Sequence, residues 1–244
     1  MSGMSHQPRA ALHQWNLAPA DAIALQRELA KQVILGDRLG EVRLVAGVDM
    51  ALNAEHDMAH AAVVLMTYPG LEIVERHTYD EPLRMPYVPG LLSFREAPAI
   101  IGAFGKLRQK PDLIMVDGMG IAHPRRIGIA SHLGLWLELP TIGCGKSMFV
   151  GHYDQQALGE EAGSWVPLID KKEVIGAIVR TRSHVKPMII SSGHMISLET
   201  SVYYVLACAR GYRLPEPTRQ ADKLSKDRTW QEPDDNGSAP TLWQ

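Results

Sequence analysis

A mixed α/β fold built on one sheet follows from three observations in the chain. Three apolar or alternating runs, Arg43 to Leu52, Ala59 to Thr67 and Glu72 to Tyr79, follow one another closely, with Tyr68, Pro69 and Gly70 as a turn between the last two, and this predicts an antiparallel meander. After residue 90, helical and strand-like segments alternate, as they do in crossover units. The apolar run Leu113 to Val116 then ends in Asp117 and Gly118, which is how a buried strand delivers a carboxylate to a flexible loop at its carboxyl end. In α/β folds ligands bind at that edge.

Each element has its own local reason. Residues 1–16 are polar and irregular, the character of a mobile terminus. From Pro19 the segment Asp21 to Val33 repeats apolar residues at helical spacing and reads as an amphipathic scaffold helix. Pro86, Tyr87, Val88, Pro89 and Gly90 form a stiff loop before a helix that starts near Ser93 and ends before Lys110-Pro111. Gly128 to Leu139 is helical, and Thr141 to Gly143 is a short strand leading to Lys146. Residues 151–172 are weakly patterned and read as a surface excursion. Val174 to Arg180 and Pro187 to Ser191 are two further strands, and Ser197 to Arg210 a closing helix with Ser197 as its cap and Gly211 past its end. Leu214 to Arg219, with two prolines, is expected to leave the fold extended. Beyond Asp222 the charged, Asp-, Pro- and Gly-rich chain reads as disordered. One domain over 17–221 with tails 1–16 and 222–244 is the expected organisation, and 244 residues with 45% hydrophobic content suffice for its core.

Composition excludes several classes. Two cysteines, Cys144 and Cys208, are too few for a disulfide framework and stand far from any second metal-ligating side chain at short spacing. A net charge of −2 argues against a globally basic DNA-packaging protein but leaves room for a local basic groove. No apolar stretch has membrane-spanning length, and residues 1–15 lack a signal-peptide run, so the expectation is a cytoplasmic monomer without membrane contact.

Asp49 interrupts a buried strand and requires a cation, either a basic side chain or a metal. Glu96 stands three residues after Ser93, the spacing of a helix capping box, so it is either a cap or a site residue. A three-strand meander followed by helix, strand, helix and strand is the order of a ribonuclease H-like core. In that core strands one and four are neighbours, bringing Asp49 beside Asp117, with Glu96 aimed at the same edge. Three converging carboxylates repel one another and call for divalent cations, and oxygen ligands without a histidine or cysteine cluster select magnesium or manganese. Such a site beside a lysine points to phosphodiester hydrolysis.

Five motifs carry a resemblance. They are Pro86 to Glu96 (PYVPGLLSFRE), Val116 to His132 (VDGMGIAHPRRIGIASH), Pro140 to Lys146 (PTIGCGK), Ser192-Gly193-His194 and Leu214 to Arg219 (LPEPTR). Together, over about residues 17–219, the chain resembles endonuclease V, the deoxyinosine-directed repair nuclease. The resemblance implies Mg2+-dependent cleavage of DNA, with Mn2+ as substitute, at the second phosphodiester 3′ to a deaminated base, leaving a 5′-phosphate. It assigns metal binding to Asp49 and Asp117, completion of the metal shell to Glu96, and active-site roles to His123 and Lys146. Pro86, Tyr87, Val88 and Pro89 match the wedge, with Tyr87 filling the gap left by an extruded nucleotide. Gly90, Leu92, Gly118, Gly120, Gly128 and Ile129 match the pocket for the flipped base, where glycine amides can approach a purine closely. His194 stands either near the metal or in packing beneath the site, and Arg125 is a candidate phosphate contact. Met119 and Cys144-Gly145 depart from the family pattern of a polar residue and Val-Ala. The alternative substrate is inosine-containing RNA. A lesion-binding module without cleavage would have lost a ligand, and a phosphomonoesterase would have no use for the Tyr87 loop.

Overall fold

A computed structural model of the chain describes residues 12–53, 56–227 and 229–230. It contains an eight-stranded mixed sheet with helices on both faces. The strands are β1 (Leu44–Asn53), β2 (Met58–Thr67), β3 (Ile73–Pro82), β4 (Leu113–Val116), β5 (Thr141–Gly145), β6 (Trp165–Asp170), β7 (Glu173–Val179) and β8 (Met188–His194). The helices are α1 (Pro19–Ala30), α2 (Leu92–Phe104), α3 (Ile129–Leu137), α4 (Leu198–Ala207) and α5 (Glu216–Lys226).

The strand order is β3-β2-β1-β4-β5-β8-β7-β6. The first three strands pair antiparallel, β1, β4 and β5 run parallel, and β8, β7 and β6 complete the sheet antiparallel. This is the ribonuclease H-like arrangement that the element order predicts, with β1 beside β4. Two apolar layers hold it together. Ala46, Val48, Ala61 and Val63 pack with α2 and α3 on one face, while Val45, Ala62, Leu113, Met115 and Ile142 pack with α4 and α5 on the other.

Several expectations need correction. Residues 165–170 are a strand because Val166 and Leu168 alternate into a small core with Ile175 and Ile178. Ser93 lies inside α2, one residue past its start, and its hydroxyl meets His132 Nδ1 at 2.9 Å, so the capping-box reading of Ser93 and Glu96 falls away. Ser197 does cap α4, accepting from the Thr200 amide at 3.2 Å.

The largest correction concerns the C-terminal part. Leu214 to Arg219 does not leave the fold extended, and Asp222 does not open a tail. Pro217 sits in the first turn of α5, where its missing N–H costs nothing, and Pro217, Ala221 and Leu224 form the buried stripe. This helix lies on β1 so closely that a Cβ on Gly47 would come within 2.0 Å of the Pro217 carbonyl oxygen. At the other end, residues 12–16 are in contact with the body, with Trp15 packed on Phe94 and Trp136. Residues 1–11 and 231–244 of the expected tails lie outside the described residues.

Candidate active site at the carboxyl ends of β1, β4 and β5

Strand alternation decides which side chains meet. In β1, Ala46 and Val48 face α2 and α3 while Val45 faces α4 and α5, so Asp49 projects towards α5. In β4, Leu113 and Met115 face the α5 layer, and one more alternation puts Asp117 there; in β5, Ile142 and Cys144 do the same for Lys146. Val48 pairs with Val116, and the Asp117 amide donates to the Val48 carbonyl at 3.1 Å, which makes the two aspartates neighbours.

Helix α5 supplies the third carboxylate. Oxygens of Asp49, Asp117 and Asp222 lie within 4.8 Å of one another. Ser225, one turn after Asp222, donates its hydroxyl to Asp49 Oδ2 at 2.5 Å. Lys146 Nζ bonds both Asp117 Oδ2 and, at 2.9 Å, Asp222 Oδ1, while the more exposed Lys226 reaches Asp222 at 2.7 Å. Glu96 approaches from α2, in the opposite layer, and stands outside this compact set.

The acids crowd one another, and two of them respond by holding their protons more tightly. Burial, then hydrogen bonding and charge from Asp117, push the Asp49 carboxyl well above the usual carboxylate range, with Ser225 and Lys146 working against the rise. Burial and the charge of Asp49 push Glu96 up to about 8. Burial works against the Lys146 ammonium, but the hydrogen bond and charge of Asp117, joined by Asp222, hold it firmly protonated. Four carboxyl groups face two ammonium groups, and the donors are hard oxygens. That donor set fits a hard divalent cation, which Asp49, Asp117 and Asp222 would hold.

Beside the acids lies a cavity of about 310 Å³, small for a ligand site. Gly90, Leu92, Gly118, Gly128 and Ile129 line it, and Asp117 and Lys146 open onto it, so a group held in the cavity lies next to the acids. Gly90 has φ +82°, and a Cβ there would come within 2.5 Å of the Arg125 guanidinium, so only glycine suits the turn into α2. Tyr87 stands at the mouth with 65% of its surface exposed, between the exposed Pro86 and Pro89, while Val88 anchors the loop on Met85 and Phe94.

Other expected site residues are differently employed. Gly120 is buried and its amide donates to Ser191 Oγ at 2.8 Å, so it supports the loop from beneath. His123 lines the cavity, but Nδ1 accepts the Arg125 amide at 3.2 Å and Nε2 bonds the Gly90 carbonyl at 3.1 Å. Burial and the charge of Arg125 lower its pKa to about 4, leaving it neutral. His194 is buried, and its Nδ1 accepts from the Ile34 amide at 3.2 Å, which is the packing role. Arg125 is held by Gln26 and Gly90, while Arg126 ties Asp170 and Glu173. Asp222, Ser225 and Gln26 escaped the sequence reading. Asp222 and Ser225 fall beyond the expected domain end, although the helix-start prolines and the 217, 221, 224 spacing could have found them.

The endonuclease V family model matches residues 27–223. The chain belongs to the endonuclease V family. The matched span runs through Asp222, which accords with an active site completed by α5. Endonuclease V of Gloeobacter violaceus is 54% identical over 217 residues, covering 88% of both chains. The crystal structure of endonuclease V from Streptomyces avermitilis superposes with a TM-score of 0.82 at 41% identity, covering 86% of this chain and 92% of that one. Ciona intestinalis endonuclease V, crystallised with a 24mer DNA containing an inosine followed by a ribo-adenosine, superposes at 0.74 with 30% identity, covering 84% of this chain and 95% of that one. The chain is thus an enzyme, an endonuclease of this family.

Proposed function

We propose that this endonuclease V acts on DNA containing deoxyinosine, takes the deaminated base into the 310 Å³ cavity, and hydrolyses the second phosphodiester 3′ to it with Mg2+ or Mn2+. The observation that carries the reading is the direct contact between that cavity and the acids: Asp117 and Lys146 belong to both. The inosine-containing DNA bound by the Ciona relative supports the substrate class.

Asp49, Asp117 and Asp222 would hold the cation, and Glu96 would serve from the opposite layer. When bound, the cation supplies Lewis acidity at the phosphate and an acidified water. The remaining work belongs to the chain. Lys146, held protonated by its two aspartates, offers its ammonium to a phosphate oxygen at the cavity mouth. Tyr87 stacks into the duplex where the base has left, and backbone groups around Gly90, Gly118 and Gly128 read the flat edge of the flipped purine. Ser225 keeps Asp49 oriented.

The test is cleavage of a labelled duplex carrying one deoxyinosine, with Mg2+ and with chelator. A single nick at the second phosphodiester, lost on chelation, is the expected result; a nick elsewhere, or equal cutting of undamaged DNA, overturns the reading. Inosine-containing RNA is the second reading, favoured by the ribo-adenosine beside the inosine in the Ciona complex. Matched DNA and RNA strands in the same assay rank the two substrates.

A further inference from the structure

The buried stripe of α1 is Ala22, Gln26 and Leu29, and the middle member is an amide with only 1% of its surface exposed. A buried amide is costly unless both ends are bonded. Here both are. Gln26 Nε2 donates to the Gly90 carbonyl at 2.9 Å, and Oε1 accepts from Arg125 Nε at 2.5 Å. Arg125 Nη2 closes the ring by donating to the same Gly90 carbonyl at 2.7 Å. Because His123 Nδ1 accepts the Arg125 amide, its proton is on Nε2, which makes the imidazole a third donor to that oxygen.

Three donors converge on one carbonyl that joins two walls of the cavity. One wall is the Tyr87 loop and the start of α2, which Gly90 connects; the other is the loop after β4, which carries His123 and Arg125. Gln26 comes from neither wall, and it lines the cavity itself. We propose that Gln26 is a positioning residue for base selection, locking the Gly90 carbonyl so that the wedge loop and the pocket wall keep a fixed separation. The inference rests on the proposed function above. It assigns to α1, which reads from sequence as scaffold, a part in deciding which nucleotide enters, while the acids at the strand ends stay untouched.

The test is Gln26→Met, which keeps the length of the side chain and removes both hydrogen bonds. Steady-state cleavage kinetics and Ca2+-supported binding are measured on a deoxyinosine duplex and on its undamaged counterpart, beside the wild type. The expected result is a KM and Kd for the deoxyinosine duplex raised about tenfold, the scale of one or two buried hydrogen bonds, with kcat and the Mg2+-induced thermal shift unchanged. The preference over undamaged DNA falls by the same factor. Should Gln26→Met not fold, Gln26→Glu takes its place with the same expectation, since it keeps an acceptor for Arg125 and loses the donor to Gly90. An unchanged KM and preference in a folded variant overturns the assignment of Gln26 while leaving the proposed function standing, and so does a fall in kcat alone. Wild-type protein that does not cut the deoxyinosine duplex overturns the proposed function, and this assignment with it.

Discussion

Ser225 donates to Asp49 across 2.5 Å, joining α5 to β1 at the point where the acids gather. Asp222 lies one turn earlier on the same helix face, so the contact that orients one aspartate also fixes the distance of another. The two acids nevertheless differ in what they cost the protein without metal.

Asp49→Asn and Asp222→Asn are therefore predicted to abolish cleavage alike, by at least about 100-fold given what removal of even a supporting metal-site group costs. Their effects on the metal-free protein should oppose each other. The Asp49 carboxyl is held above its ordinary pKa, so its charge opposes folding and an amide there raises the melting temperature. Asp222 is held below its ordinary pKa by Lys226 and Lys146, against burial, so its loss lowers the melting temperature. Thermal denaturation in chelator checks both signs, and equal shifts in one direction would contradict the charge assignment.

A cation should stabilise the wild-type fold by mass action. Saturation at about 100 times Kd gives about 2.7 kcal/mol. The same titration of Asp49→Asn/Asp117→Asn should move the unfolding midpoint little. Lys146→Met should respond more strongly than wild type, since it leaves Asp117 and Asp222 without their shared ammonium until metal arrives. A Lys146→Met protein whose Mg2+ response equals that of the wild type would separate the lysine from the metal site.

Tyr87 is predicted to matter for duplex binding and not for stability. Its ring is mostly exposed, so Tyr87→Ala should leave the melting temperature unchanged while weakening binding of a deoxyinosine duplex by about 1–3 kcal/mol, the range for stacking on a base. Tyr87→Phe should be milder. Equilibrium binding in Ca2+ measures this, and equal affinity of the Tyr87→Ala variant and the wild type removes the wedge.

A pH effect on stability should come from His132. It is fully buried between Trp15 and Phe94, meets Ser93 Oγ at 2.9 Å and His13 Nε2 at 2.6 Å, and burial, then the charge of His13, lowers its pKa to about 3. A folded pKa below the unfolded value of about 6.5 means the unfolded chain takes the proton first. The contribution is complete above 6.5 and is lost as pH falls towards 3, at up to about 1.4 kcal/mol per pH unit for one proton. Urea midpoints between about pH 7.5 and 5, a window that spans the unfolded pKa, should fall less steeply for His132→Gln than for wild type; identical slopes would place the titration elsewhere.

Much of the site was legible because strand chemistry is local. Val45 to Asp49 and Leu113 to Asp117 carry their own evidence of burial and of a charge at the strand end, and element order makes them neighbours. Helix α5 was harder. Pro215 and Pro217 suggest an extended chain when taken alone, and its polar face hides the stripe of Pro217, Ala221 and Leu224. One clue lay far away in the sequence, since a glycine inside a strand marks the close approach of another backbone, and Gly47 is where Pro217 touches β1. Gln26 offered a similar clue, a polar residue on an apolar helical stripe, but its partners Gly90 and Arg125 are 64 and 99 residues distant and only the fold reveals them.

The close seat of α5 on Gly47 also makes the site depend on the last described helix. The strands β1 to β8 and helices α2, α3 and α4 all precede one of the three clustered aspartates in the chain, because Asp222 and Ser225 arrive on the last described helix. A polypeptide interrupted between Ala207 and Glu216 would keep the segments that carry Asp49, Asp117 and Lys146 yet leave Asp49 without its hydroxyl partner and Lys146 with one aspartate instead of two. A chain clipped ahead of α5 is thus expected to carry an acid cluster short of one aspartate and to lose cleavage.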